Sequence, residues 1–225
     1  MEVIEKHLGL NDQKKRYVAK ISGLYANLSP NSQDFWHDRS LRAGRSLLTS
    51  CALKLQSEDL FMEDRSVILA LVGRYYSIFH GCFALLCQHP AIPYKRLERM
   101  HHRTLEGNMM SHFVRAGMLD SDFAKVLRMA REAREAVNYS PNKLSRALDG
   151  RKMSDFAAET DRILGQLYAT NLVLSATFSK STNGFVSSLQ TIIGDGIGED
   201  WVSDFCSRKD RNRIWRVLLE YGLTT

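Results

Sequence analysis

The chain is written in helical period almost throughout. Apolar residues recur at three- and four-residue intervals, and no alternating apolar–polar run of five residues or more predicts a strand. A first helix is predicted over about residues 3–28 and is ended by Ser29-Pro30. The second starts near Ser32-Gln33-Asp34, a capping sequence, and carries Leu41, Leu48, Cys51, Ala52 and Leu55 on its apolar side. A third covers residues 63–88 and stops at His89-Pro90. The next is predicted as one helix over 94–115 with Gly117 as its C-cap, and residues 121–139 follow, closed by Pro141. A long amphipathic helix over 154–179 sets Phe156, Ile163, Leu167, Leu174 and Phe178 along one side. Hinges are predicted at 179–184 and 194–198, around short helices that end in RKDRNRIWRVLLEYGL. The pattern predicts an all-α fold: a helical bundle with a helix added before it and a helical appendage after it.

The third helix holds the most informative stretch, RYYSIFHGCF at 74–83. At about 100° per residue, Tyr76 and His80 lie one turn apart on one face, with the small residues Gly73 and Ala84 to either side. Small residues beside a phenol–imidazole pair predict close approach by a partner helix or a ligand. The neighbouring face (Leu71, Tyr75, Ile78, Phe79, Cys82, Leu86) is apolar and predicts core.

Composition narrows the function classes. The 225 residues are 44% hydrophobic, enough for one substantial core. A formal charge of +6 favours an acidic partner, nucleic acid before anionic membrane. No apolar run approaches the length of a membrane span, because Gly73 and Arg74 break the densest one, VILALV. Residues 1–16 carry charge from Glu2 onward and no apolar signal core, and the four cysteines show no disulfide-framework spacing. These features predict a cytoplasmic protein with reduced thiols.

The chemistry-bearing segments come in a recognisable order. RYYSIFHGCFALL is followed by KRLERMHHRTLEGNMMSHFVRAGML, and then by VLRMAREAREAVNY before Pro141. In order and spacing they resemble the HEPN superfamily, in particular a small bacterial branch with a pattern near R-x-Y-Y-a-x-F-H, T-H-x-x, F-V-x-x-G-x-L and L-x-x-x-R-x-x-A-D-Y. His102 aligns with the family histidine, and Phe113, Val114, Gly117 and Leu119 follow without a gap. Arg134 and Tyr139 fall on the terminal Arg and Tyr. The motif core covers about residues 70–141, and weaker agreement extends a HEPN-type bundle over 31–180, leaving 1–30 and 181–225 as additions.

The resemblance implies a metal-independent ribonuclease built on an R-x4–6-H motif, with two such helices facing each other in a homodimer. A guanidinium can hold a phosphate and balance the charge of a pentacoordinate intermediate, while an imidazole moves the proton. This chain departs from the motif, since Tyr139 stands where the nuclease histidine is expected. A phenol with an ordinary pKa of about 10 is a poor base at neutral pH. The catalytic set implied is therefore Arg134 with His80 or His102, and with Tyr139 as orienting group. Tyr76 and Asn138 are expected at the cleft, with Lys95, Arg96, Arg99 and Arg103 as a phosphate-steering patch. Arg208, Arg211 and Arg213 add a basic helix face around Trp215, which either contacts RNA or packs inward.

Three other patterns are weaker. Arg74 and His80 fit R-x4–6-H literally but point roughly 120° apart on one helix. His80, Cys82, Cys87 and His89 are metal-ligand types, yet Cys82 points about 160° from His80, so neither metal nor cofactor is expected. The GDGIGED loop at 194–200 lacks the preceding strand and following Lys of a phosphate loop. The leading expectation is a ribonuclease-type effector of a toxin–antitoxin or antiphage system acting on RNA such as tRNA. The alternative is a non-catalytic module that binds nucleotide or RNA, or partners a minimal nucleotidyltransferase; an antitoxin would be the partner in the first case.

Overall fold

A computed structural model of the protein describes residues 9, 11–62, 66–139, 144, 152–184, 187–193 and 208–221, and among them the chain is helical with no strand. The helices are α1 (Asp12–Ala26), α2 (Gln33–Met62), α3 (Val67–Gln88), α4 (Tyr94–Glu98), α5 (His102–Met109), α6 (Phe123–Tyr139), α7 (Met153–Ser181), α8 (Leu189–Ile192) and α9 (Arg208–Glu220). Their ends follow local chemistry. Gly9 takes a positive φ of 53° and Asn11 accepts the Lys14 amide at 2.9 Å, so the helix expected from residue 3 begins at Asp12 within the described residues. Ser29, not the expected Ser32–Asp34 segment, caps the 3-10 turn Pro30–Ser32 that leads into α2. Ser66 caps α3 through the Leu69 amide at 3.3 Å. Pro141 and the 194–200 loop lie outside the described residues.

The single helix expected over 94–115 is instead three pieces. Arg99 leaves helical geometry (φ −108°, ψ 25°), and His101 restarts the chain as an N-cap whose Nδ1 accepts the Thr104 amide at 3.3 Å. A π-helical turn, Met110–Val114, then follows α5 and is closed by the Arg115 amide on the Met110 carbonyl at 3.0 Å. Gly117 ends the segment with φ 73°, as its sequence position predicts. A Cβ there would also meet the far end of the Gln13 side chain at 2.2 Å, a clash that this flexible, exposed side chain relieves by moving, so it is the φ that calls for glycine.

Helix α3 is the element that the others surround: α2, α4, α5, α6 and α7 all pack on it. The pairs Arg39–Cys87, Ser50–Ser77 and Leu53–Gly73 make α2 and α3 an antiparallel hairpin. Contacts from Arg74 to Asp161 and from Gln88 to Asn171 run α7 parallel to α3, while Tyr25–Phe178 and Ser22–Ser181 set α1 antiparallel on α7. Leu71, Tyr75, Ile78, Cys82 and Leu86 are buried as expected, although Phe79 stays half-buried. Phe156, Ile163, Leu167, Leu174 and Phe178 of α7 are buried against them. Tyr17, Ile21 and Tyr25 of α1 and Ile214, Val217 and Leu218 of α9 belong to this same core. Among the described residues only α3 has the length and apolar content to cross a membrane, a property the broken VILALV run concealed. Half of that segment is buried in the bundle, whereas Val67, Ile68 and Leu69 at its start are exposed.

The small residues of α3 are used within the chain. A Cβ on Gly73 would lie 3.4 Å from Ser57 Cβ and 3.6 Å from the Leu53 carbonyl, and Ala84 is buried. The face that predicted close approach by a partner is thus occupied by α2. Gly81 lets α7 come near enough for Asn171 Nδ2 to donate to its carbonyl at 3.1 Å. A polar seam continues it: Ser50 and Ser77 each donate to the other's carbonyl, and Tyr168 joins Ser50 at 3.1 Å.

Two buried arginines hold the ends of α3. Arg74 is ion-paired with Asp161, with Lys54 and Glu58 completing the cluster, which accounts for the literal Arg74–His80 match as structural. Arg39 is 2% exposed and donates to the carbonyls of Cys87 (2.7 Å), Ile92 (2.8 Å), Leu86 (3.2 Å) and His89 (2.9 Å), with Trp36 stacked on it at 4.5 Å. Burial lowers its pKa to about 10, which leaves it charged at neutral pH. Arg39→Ala should lower the unfolding free energy in urea by about 3 kcal/mol or more, because several buried acceptors lose their donor together. Arg39→Lys should recover little, since an ammonium cannot fork across four carbonyls.

His89, at the same end of α3, gives a pH-dependent consequence. Burial first, then His112, Arg39 and Lys20, hold its pKa at about 3. In the unfolded chain it titrates near 6.5, so between those values the unfolded state binds a proton that the folded state refuses. Stability should therefore fall as pH falls through that window, by about 1.4 kcal/mol per unit from this group. Urea titrations from pH 7 to 4 should show a shallower loss in His89→Asn than in wild type.

Candidate functional site

The site is assembled where α3, α5 and α6 meet. Helix α6 buries Phe123, Val126, Leu127, Ala130, Ala133 and Val137, and this leaves Arg131 and Arg134 at the edge of its packed face. Arg134 reaches back over α3. Its guanidinium sits 5.6 Å from the Tyr75 ring and 5.5 Å from the Tyr76 ring, and Nη2 donates to Tyr76 Oη at 3.3 Å. Its Nη1 is 3.9 Å from Glu135, and the side chain is only 12% exposed. The Nε is buried without a partner.

His102 opens α5 on the other side of the tyrosines. Its Nδ1 is hydrogen-bonded to Tyr75 Oη, and its ring meets Phe79 edge-on at 5.2 Å. The imidazole pKa is lowered, first by burial and then by the Arg134 charge, with Glu135 pulling the other way. The imidazole is therefore neutral at physiological pH and able to accept a proton. Burial raises the Tyr75 phenol, which stays protonated and can either donate to His102 or accept from it. Outside this core, His101, His102, Arg103, Arg131 and Glu135 line an open cleft of about 210 Å³. Glu106 anchors Arg131 and Arg128, each at 3.0 Å, so the cleft's cationic wall is held in place.

The expected residues separate into those brought together and those left apart. Arg134, Tyr76 and His102 form one constellation, and Arg103 lines its cleft. His80 does not join it by any hydrogen bond, ion pair or ring contact: its ring meets Phe79 at 5.7 Å, its Nδ1 is buried without a partner, and burial lowers its pKa. One turn of helix carries its side chain past Tyr76 rather than toward Arg134. Tyr139 is 75% exposed at the end of α6, and Asn138 is exposed beside it. Lys95, Arg96 and Arg99 are exposed around α4 and do not line the cleft; Arg96 donates to Asn108 at 3.4 Å.

In α9 the side chain of Arg208 is outside the described set, and Arg211 is half-buried with an unpartnered Nε. Arg213 is clamped on Asp59 by bonds of 2.6 and 2.8 Å, which ties α9 to α2, and Trp215 packs against the core. Tyr75, Arg131 and Glu135 are site residues that the sequence reading passed over. A phenol on an apolar helix face was the available signal for Tyr75, because a buried hydroxyl needs a partner. Among the described residues no three His, Cys, Asp or Glu side chains converge as metal ligands.

Comparison with protein-family models, with curated proteins and with solved structures gives no match to this chain. The described residues define an all-α bundle bearing an arginine–tyrosine–histidine constellation beside a basic cleft.

The electrostatic link between Arg134 and His102 can be read directly. In Arg134→Met the NMR titration midpoint of His102 should move up, because a cation that disfavours the imidazolium has been removed. An unmoved midpoint would show that the two groups are not in contact in solution.

Proposed function

We propose that the protein is a HEPN-type ribonuclease effector of a toxin–antitoxin or antiphage system, acting on RNA such as tRNA in the cytoplasm. The observation that carries this reading is the Tyr75–His102 hydrogen bond beside the Arg134 guanidinium, at the rim of a cationic cleft. A neutral His102 would take the proton of an RNA 2′-hydroxyl, and that oxygen would attack the adjacent phosphorus. The phosphorane charge would fall among Arg134, Arg131 and Arg103. Departure of the 5′-oxygen, protonated by a second acid or by water, would leave a cyclic phosphate and a 5′-hydroxyl. The internal 2′-hydroxyl is the nucleophile, so the step needs no activated water.

In the homodimer that accompanies this proposal, Asn138 and Tyr139, exposed at the end of α6, would meet RNA or the second copy. The second reading is a non-catalytic module for RNA or nucleotide, alone or with a nucleotidyltransferase. Its specific support is the covered state of Arg134, whose Nη2 is already engaged by Tyr76, and the single histidine beside it.

Purified protein incubated with total RNA in EDTA separates the two. Cleavage that drops on the order of a hundredfold in His102→Ala, and at least as far in Arg134→Ala, supports the nuclease. His80→Ala and Tyr139→Phe should keep most of that activity. Binding of labelled RNA that requires Arg134, without cleavage under any condition, supports the module.

A further inference from the structure

A second cleft, larger than the first, lies between α1, the turn after α3 and the π-helical turn. It has a volume of about 450 Å³, within the range of about 300–1,000 Å³ usual for small-molecule sites. Arg16 and Lys20 stand one turn apart on α1 at its rim, and Gln13 is beside them. His89 and His112 form its floor with ring centroids 4.4 Å apart, and Ile21, Ala91 and Ala116 supply apolar wall. No carboxylate lines it.

Three observations indicate what it takes. Neither Arg16 nor Lys20, both exposed, has an ion-pair partner among the described residues, whereas the half-buried Arg131 and Arg213 are each paired with a carboxylate. Tyr17, only 8% exposed and part of the lining, has a hydroxyl with no hydrogen-bond partner. His89, 3% exposed, accepts the Ala91 amide on Nδ1 at 3.2 Å, which leaves its one N–H on Nε2. The cleft thus offers two cations without ion-pair partners and an imidazole N–H, beside the His89, His112 and Tyr17 rings that line it, while the Tyr17 hydroxyl itself is buried behind them.

We propose that this cleft binds a nucleoside monophosphate, its phosphate held by Arg16 and Lys20 and its base against the His89–His112 and Tyr17 rings. A guanidinium and an ammonium on one helix face suit a phosphate dianion, and the remaining volume exceeds what inorganic phosphate would fill. Positive charge already crowded there agrees: Lys20 contributes to the lowered pKa of both His89 and His112. This assignment is independent of the chemistry proposed at Arg134. The two clefts are nonetheless joined through one chain segment, since His102 begins α5 and His112 lies in the turn that follows it.

The test is calorimetric and thermal titration of the full chain with AMP, UMP, ribose 5-phosphate, inorganic phosphate and adenosine. Both nucleotides should bind and raise the unfolding midpoint by at least about 2 °C near saturation. Ribose 5-phosphate and inorganic phosphate should bind more weakly, and adenosine not at all. The Arg16→Gln/Lys20→Gln double variant, at exposed positions that leave the core intact, should weaken AMP on the order of a hundredfold. Arg134→Ala should leave AMP affinity unchanged. Absence of nucleotide binding, adenosine binding as well as AMP, or AMP affinity that depends on Arg134 and not on Arg16 and Lys20, would overturn the assignment.

Discussion

One buried cation without a carboxylate organises this protein. Arg39 enters the interior from α2 and its charge is solvated by four backbone carbonyls at and beyond the C-terminal end of α3. Those carbonyls are the acceptors a helix end leaves unsatisfied, and they carry the negative pole of the helix dipole. The arrangement solves two problems together: four of the five guanidinium N–H groups are hydrogen-bonded, and the end of α3 can be buried. It also fixes the turn through Ile92, since Cys87, His89 and Ile92 are bound to one rigid plane. The entry into α4, and the His89 floor of the larger cleft, depend on that turn.

With its C-terminal end held, α3 can be packed on almost every side. Small residues decide how closely. Gly73 admits α2, and Gly81 admits α7 near enough for Asn171 to bridge its carbonyl and the Gln88 amide. The seam of Ser50, Ser77 and Tyr168 places hydroxyls in this interior, each with a partner. The phenols of Tyr75 and Tyr76 are left on the flank toward α5 and α6, where they take up His102 and Arg134. The site is thus the polar edge of a tightly packed helix and inherits its rigidity.

The positive charge is divided by task. Arg39 and Arg74 hold α3, Arg213 fastens α9 to α2, and Arg131 is braced by Glu106. Of the cations that face solvent, Arg103 lines the first cleft, Arg16 and Lys20 line the second, and Lys95, Arg96 and Arg99 surround α4. A net charge of +6 therefore says less about binding than the positions of the cations that lack internal partners.

Helix identity and most helix ends were legible in the sequence, because they rest on local causes: apolar period, Gly117 as a cap, Pro90 as a stop. The apolar faces of α3 and α7 followed from the same period. The break at Arg99–His101 escaped it, because a histidine N-cap resembles the middle of a basic helix. At the site, the motif resemblance brought Arg134, Tyr76 and His102 into one list but could not separate them from His80 or Tyr139, nor show that Arg213 binds Asp59. Those distinctions depend on the rotation of α3 against α6 and on which side chains from distant segments meet. Such contacts are set by packing between elements, and a one-dimensional pattern fixes only the face on which a residue lies, not the partner that covers it.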